Sequence, residues 1–503
     1  MQTQEYLAGD IPQVDFNESK LPLYHALFKI SYNINPQYGW IYVHLITILI
    51  IFLTSFFIFL IGKNIKNKEA GFIGALLYAI FSSSFNRHFL ATNGEIIFNF
   101  PVTASFYFIL QFLKKESSPG LKGFNLFLGL LGAWAATQVK FHGNIILIFL
   151  GILFLFYRSY YRQKFNWKQF SFLSSLFIGF LIFFWLDLSF FNKFAHKFIT
   201  NIQGKIFYAL AAKGTNPFIF LVKFFHRQGL LFLWHLLAWL PALIYLKQFL
   251  KNKGRDKNFG LAALALLFSL TYLMVLGGGL RLYFHYFLAT YPSLTALAGI
   301  ALVSLENKPI IHLRKNFKIY LLIPALFFLA WNSKDVIIKN YYPQAFYQEG
   351  PVAYWTRAVL VGTFDDYLLP HKSYLEAVNY IKKNTKSNDR IFVWGDGPYL
   401  YYFSGRRMGG KTLWYKNTIL KIIKSYASLN PQDHQKAKGM EKTLIQTLKD
   451  KNPLLFIDTS PNGLSTFNHY YNLEKAPQIY EYVKNNYLLK ATKNKMKIYR
   501  LKK

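Results

Sequence analysis

Long apolar blocks separated by short basic loops fill the first two thirds of the chain. Residues 40–62 (WIYVHLITILIIFLTSFFIFLIG) carry no charge, over the roughly 20 residues that a helix needs to cross a bilayer. Similar blocks recur at about 71–84, 96–113, 124–139, 143–157, 170–191, 229–246, 259–276, 284–304 and 317–331. Several are short or contain Gly, Pro or Ser, which membrane helices tolerate when neighbouring helices satisfy the freed backbone groups. After Trp331 the texture changes. HKSYLEAVNYIKKNT (371–385) has helical spacing. RIFVWG (390–395) reads as a buried strand followed by a GDGP turn. A polar helix at about 431–450 precedes a second buried strand, PLLFIDTS (453–460). Residues 475–487 read as helix, and YLLKATKNKMKIYRLKK as a hairpin. The expected fold is an α-helical polytopic membrane protein of about ten transmembrane helices with a C-terminal soluble α/β domain. Its expected parts are a first exterior loop (1–39), a transmembrane region (40–332) and an exterior α/β domain (333–503).

Charge orients these helices. Lys63, Lys66 and Lys68 crowd one loop, Lys114, Lys115 and Lys122 the next but one, then Arg158, Arg162, Lys164 and Lys168. Lys247, Lys251, Lys253, Arg255 and Lys257 follow, and then Lys308, Arg314, Lys315 and Lys318. The short alternate loops carry one cation of this kind each: Arg87, Lys140 and Arg281. Positive charge gathers on the cytoplasmic side of membrane proteins, so the basic loops are expected inside and the alternate loops outside. The net charge of +35 invites a nucleic-acid reading. The alternation assigns that charge to topology instead, and no nucleic-acid partner is expected. With 53% hydrophobic residues and no cysteine, disulfide and thiolate chemistry are excluded. From residue 333 onward 28 Lys/Arg face 13 Asp/Glu, a balance suited to an anionic acceptor or a membrane surface. Residues 188–228, which mix aromatics with Lys, read as interfacial amphipathic helices or as a plain spacer.

Acidic residues are scarce before the C-terminal region. On the expected exterior side they are Glu5, Asp10, Asp15, Glu18, Glu95 and Asp187. Ionisable groups at membrane depth are costly, which marks Glu95, at the start of a span, as a candidate. The rival role for Glu95 is pairing with the dipole at its helix start. Exterior cations form a complementary set: Lys20, Arg87, His88, Lys140, His142, Arg281 and His285. A carboxylate among Asp10, Asp15 and Glu95 could act as general base on an acceptor hydroxyl. The cations could hold a phosphate and stabilise it as it leaves. No cluster has metal-ligand spacing, so no metal site is assigned. No cofactor is expected with certainty, and a divalent metal is left open.

GDIPQVDFNESKLPLYHAL resembles the first exterior loop of the GT-C glycosyltransferases, the membrane enzymes related to protein O-mannosyltransferases and to the aminoarabinose transferase of lipid A. Their pattern is Gly-x-Pro-Tyr-x-Asp, a short gap, then Lys-Pro-Pro-Leu. Gly9, Pro12, Asp15, Lys20, Pro22 and Leu23 match, while Gln13 and Leu21 depart. Glu95, the KFHGN stretch with Lys140 and His142, RLYFHYFLATYPSL (281–294) and RIFVWGDGPYLYYFSGRR are similar to later parts of such proteins. The resemblance implies a polyprenyl-phosphate-linked sugar donor, an exterior glycan, lipid or protein acceptor, and inversion at the anomeric carbon. It implies contact with membrane lipids and a place in a bacterial inner membrane, with the C-terminal domain in the periplasm. It also implies a first membrane helix and an acidic pair ahead of Gly9, and only MQTQEYLA stands there. A chain that starts late is the economical expectation. In a complete chain, Asp15, Asp10 or Glu5 must replace the usual base. Two other readings compete: an inactive scaffold of the same fold, and a lipid or glycan transporter. A transporter predicts polar residues along a mid-membrane path and internal repeats, and the sequence displays neither.

Overall fold

The computed structural model describes residues 22–34, 39–83, 92–114, 118–140, 145–160, 235–251, 258–277, 284–306, 371–395, 397–411, 416–460, 471–493 and 495–502, with five positions between 224 and 232. They form two compact units, one within 22–306 and one within 371–502.

The first unit is helical. Helix α1 (Pro22–Ile34) is followed by α2 (Gly39–Ile65), α3 (Lys68–Ser82), α4 (Gly94–Phe112), α5 (Pro119–Val139) and α6 (Ile145–Tyr160). Then come α7 (Leu236–Lys251), α8 (Phe259–Gly277), a 3-10 helix (Phe284–Thr290) and α9 (Tyr291–Glu306). Among the described residues three stretches are long and apolar enough to cross a membrane: Tyr42–Ile65, Gly94–Phe112 and Tyr286–Ser304. Shorter apolar helices run over Ile145–Leu155, Leu236–Lys247 and Phe259–Val275. Ile48, Phe52, Phe72, Phe127, Ile148 and Leu155 stand exposed on the outer faces of these helices. Apolar exposure on this scale marks a lipid-facing surface. The expected spans 170–191 and 317–331 lie outside the described residues, as does nearly all of the 188–228 loop.

Two segments differ from the sequence reading. Within the expected first loop, residues 22–34 form a helix, because Leu23, Tyr24 and Leu27 fall on one face and pack on the bundle core. The expected single span 284–304 is a 3-10 turn joined to an α-helix. Pro292 sits in the first turn of α9, where its missing N–H costs nothing, so the regular helix restarts there.

Hydrogen bonds group the loops by end. Lys114 Nζ donates to Asn64 Oδ1 at 3.3 Å, Asn258 Nδ2 to the carbonyl of Ile65 at 3.0 Å, and Tyr157 to that of Leu113 at 3.2 Å. The lysine-rich connections therefore share one end of the bundle. At the other end Tyr24 donates to the carbonyl of Thr92 at 3.1 Å, and the hydroxyls of Thr47 and Thr92 lie 2.8 Å apart. The centre is held by close helix crossings. A Cβ on Gly71 would stand 2.2 Å from the carbonyl oxygen of Phe59, and one on Gly299 2.3 Å from that of Ala70. Small residues at such crossings let membrane helices gain backbone-to-backbone contact.

The second unit is a five-stranded sheet between helical layers. Its elements are α10 (His371–Asn384), β1 (Arg390–Trp394), α11 (Pro398–Ser404), β2 (Arg407–Met408), α12 (Lys416–Tyr426) and α13 (Pro431–Lys451), followed by β3 (Leu455–Asp458), α14 (Pro477–Asn486), β4 (Tyr487–Lys493) and β5 (Met496–Leu501). The strand order is β2-β1-β3-β5-β4. The pairs β1–β2 and β1–β3 are parallel, and β3–β5 and β4–β5 are antiparallel. Alternation sorts side chains between the faces. Phe392, Trp394 and Phe456 pack with α12, α13 and α14. Ile391, Val393, Leu455 and Ile457 pack with α10 and α11.

One buried carboxylate ties three helices of this unit together. Glu441 on α13 is fully buried and accepts from the Tyr426 hydroxyl on α12 and from the backbone N–H groups of Gln478 and Ile479 at 3.1 and 3.3 Å. It thus caps α14, whose first N–H groups have no partner within the helix. Burial and the bond to Glu441 hold the Tyr426 hydroxyl well above its ordinary pKa. Replacing Glu441 by Ala strands these donors and is expected to destabilise the unit by about 3 kcal/mol. Amide exchange across α14 in the full chain reads that loss.

Candidate active site

The site forms where α4 begins and α5 ends. The two helices make an antiparallel hairpin, so the first turn of α4 and the last turn of α5 share the end of the bundle opposite the basic connections. Glu95 lies in the first turn of α4, and Lys140 caps the C-terminus of α5. Each charge suits the helix end it occupies, because a helix is partially positive at its start and negative at its finish.

The two side chains form an ion pair. Glu95 is 3% exposed, and the Lys140 side chain 13%. The Lys140 stem passes over Gly94, where an added Cβ would come within 3.0 Å of Cε. Its ammonium also stands 5.1 Å from the ring centre of Tyr286, within the range of a cation–π contact. The pair opens on a small recess lined by Phe98, Met274, Val275, Tyr286 and Ala289. A charge pair beside apolar walls is weakly screened, so an arriving anion would feel the ammonium strongly.

Asn99 fixes the other wall. It lies one turn beyond Glu95 on α4, fully buried, and its Nδ2 donates to the Tyr78 hydroxyl at 3.1 Å and to the carbonyl of Leu288 at 2.9 Å. Leu288 belongs to the 3-10 helix that carries Tyr286, so this bond seats that helix against α4. Tyr291 and His235 continue the polar seam, with the hydroxyl 3.3 Å from the imidazole.

Of the residues singled out in sequence, the structure brings Glu95 and Lys140 together. His285 lies in the 3-10 helix beside Tyr286. Asp10, Asp15, Lys20, Arg87, His88, His142 and Arg281 lie outside the described residues. The sequence analysis missed Tyr286 and Asn99. Tyr286 sits inside the RLYFHYFLATYPSL stretch it quoted, next to His285. Asn99 had a weaker signal, a lone amide within an apolar span. Among the described residues no group of His, Cys, Asp or Glu is arranged to hold a metal ion.

Comparison with known proteins bears on the fold. Residues 19–186 match the family model for dolichyl-phosphate-mannose-protein mannosyltransferase. No curated protein matches the chain. Among solved structures, apo ArnT from Cupriavidus metallidurans is similar over 99% of this chain and 91% of its own, with 12% identity and a TM-score of 0.52. The same protein bound to undecaprenyl phosphate aligns over the same shares, with 11% identity and a TM-score of 0.53. The chain has the GT-C fold. A further GT-C structure, the oligosaccharyltransferase of Archaeoglobus fulgidus with Zn and sulfate, covers 95% of this chain and 66% of its own, at 11% identity and a TM-score of 0.52. Within the GT-C fold, the matched segment 19–186 contains both Glu95 and Lys140.

Proposed function

We propose that the chain is a membrane glycosyltransferase that moves a sugar from a polyprenyl-phosphate donor to an acceptor hydroxyl on a glycan, lipid or protein, with inversion. The observation that carries this reading is the buried Glu95–Lys140 pair beside Tyr286, at the end of the bundle away from the lysine-rich connections, in a fold shared with a protein solved with undecaprenyl phosphate. In this reading the pair faces the periplasmic side of a bacterial inner membrane, about ten helices span the bilayer, and the C-terminal unit lies outside it.

The proposed reaction is a single displacement. A carboxylate takes the proton of the acceptor hydroxyl, whose oxygen attacks the anomeric carbon. The bond from that carbon to the donor phosphate oxygen breaks, and polyprenyl phosphate leaves as an anion. Lys140 stabilises the growing charge on the phosphate, and Lys20, Arg87, His88, His142, Arg281 and His285 complete the phosphate site. Glu95 is held in an ion pair with Lys140. It positions the Lys140 ammonium, and the base role falls to Asp15 or Asp10. Fixing donor and acceptor at one membrane face supplies much of the rate.

The test uses the full chain in lipid nanodiscs with radiolabelled polyprenyl-phosphate hexoses and pentoses and a cell-envelope extract as acceptor. The expected result is release of polyprenyl phosphate coupled to labelled acceptor. Intact donor crossing a sealed vesicle without cleavage would establish the transporter reading instead. No cleavage with any donor would leave the inactive scaffold.

A further inference from the structure

Both partners of the cation–π contact are held by one face of α4. Glu95 holds the Lys140 ammonium in the ion pair. Asn99 stands one turn further along α4, so the two side chains leave the helix on the same face. Asn99 Nδ2 donates to the carbonyl of Leu288 at 2.9 Å, and Leu288 shares the 3-10 helix with Tyr286. The ammonium and the ring beside it are thus fastened to α4 one turn apart.

The need for Asn99 can be read from Pro292. In a continuous α-helix the carbonyl of Leu288 would accept from the N–H of residue 292. Residue 292 is proline and has no N–H to give. Bulk water does not reach the carbonyl, since Tyr78, Asn99, Phe287 and Leu288 are all fully buried. A backbone group freed at membrane depth needs a partner from a neighbouring helix, and Asn99 supplies one. Hydroxyls within the segment serve nearby carbonyls: Thr290 that of Phe287 at 2.7 Å, and Ser293 that of Thr290 at 3.0 Å. Such local bonds shape the segment but do not hold it to α4.

Stability alone does not explain Asn99. Its Oδ1 is buried and has no hydrogen-bond partner among the described residues. Leaving an amide oxygen so is costly. Turning the amide over would not help, because Oδ1 would then face the Leu288 carbonyl. The orientation that fits spends the donor on Tyr78 and Leu288 and leaves the acceptor idle. What the amide gains is a tie between α4 and the 3-10 helix.

We propose that Asn99 is a positioning residue for the anion site: through the Leu288 carbonyl it keeps the Tyr286 ring against the Lys140 ammonium and so fixes where that charge points. The ring stands 5.1 Å from the ammonium, and Glu95 holds the ammonium by its own charge. Without the ring, the long lysine side chain keeps one tether and can swing about it. A displacement of about 1 Å at a reacting centre can cost about a hundredfold in rate. The effect on transfer rests on the transferase reading, and the seating of the 3-10 helix does not.

The chain has no cysteine, so a single introduced cysteine reports local opening without background. The test places the full chain in lipid nanodiscs with one of two probes. Ala289→Cys lies in the 3-10 helix at a 3% exposed position. Ser304→Cys replaces a buried hydroxyl near the far end of α9. Asn99→Leu keeps the side-chain volume and removes the donor. It is expected to speed maleimide labelling of Ala289→Cys about tenfold or more and to leave Ser304→Cys protected. Unchanged labelling of Ala289→Cys overturns the proposal. So does opening at both positions, which would make Asn99 a general packing residue. In the cysteine-free chain, Asn99→Leu is expected to slow transfer about tenfold or more. The double variant Asn99→Leu/Tyr286→Leu is expected to be no slower than Tyr286→Leu alone, because both changes break the same contact. Losses that multiply overturn the proposal. If Asn99→Leu does not purify, Asn99→Ala decides by the same criteria. Selective opening at Ala289→Cys, with no transfer by wild type, upholds the seating and sinks the transferase reading alone.

Discussion

Replacing Lys140 by Met is expected to cut sugar transfer by about a hundredfold or more, the usual effect of losing one preorganised group that stabilises a leaving or developing anion. The single variant has a second consequence. It leaves Glu95, 3% exposed, as a buried charge without its ammonium, a defect that commonly costs about 3–5 kcal/mol. Loss of activity alone would therefore not separate chemistry from folding. The double variant Glu95→Gln/Lys140→Met does separate them. It removes both charges, keeps nearly the same volume and is expected to purify as a stable monodisperse protein. If it transfers sugar at the wild-type rate, the pair is structural and the phosphate role of Lys140 fails. If it folds and stays inactive, the ammonium is needed at the phosphate. Lys140→Arg is expected to retain part of the activity, because the guanidinium can still pair with Glu95 and stack on Tyr286.

Gly299→Leu is expected to prevent assembly of the bundle altogether. The first carbon of the new side chain would stand 2.3 Å from the carbonyl oxygen of Ala70 and 2.7 Å from the backbone nitrogen of Gly74. Both obstacles are backbone of α3, so no side-chain rotation relieves them. The helices must separate, and α9 loses its contact with α3 at the centre of the fold. The measurement is size-exclusion chromatography of the detergent-extracted protein, with aggregation in place of a sharp peak. Gly120→Ala and Gly123→Ala serve as controls, since an added carbon there meets nothing within 4 Å. Normal behaviour of Gly299→Leu would mean that α3 and α9 do not cross as closely as described.

The helices of the first unit were legible because a bilayer imposes long uncharged blocks, and α2 and α4 follow theirs closely. The alternation of basic loops was legible for the same reason, and the contacts of Lys114, Asn258 and Tyr157 gather those loops at one end. Helix α1 was not, since its apolar face is only three or four residues wide and it follows a polar segment. Glu95 and Lys140 were each singled out, but not as a pair. Forty-five residues separate them, and only the packing of α4 on α5 closes that distance. Tyr286 escaped because an aromatic in an aromatic-rich span carries no mark of its own. In the C-terminal unit β1 and β3 were legible as short, wholly apolar runs, which parallel buried strands produce. Strand β2 has two residues, too few for any periodicity to register.

The order of the sheet also governs when it can exist. Strand β5, residues 496–501, lies between β3 and β4 and supplies the hydrogen bonds that join them. Until it is synthesised, β3 exposes an open edge and β4 has no neighbour. The antiparallel half of the sheet must wait for residues 496–501. Helical hairpins such as α2–α3 need no such delay, for their partners are adjacent in sequence. The strand order predicts that the sheet closes late, after its first three strands have been made. A ribosome stalled before residue 496 would hold an inserted bundle joined to an unclosed sheet, the species that protease or chaperone would meet first.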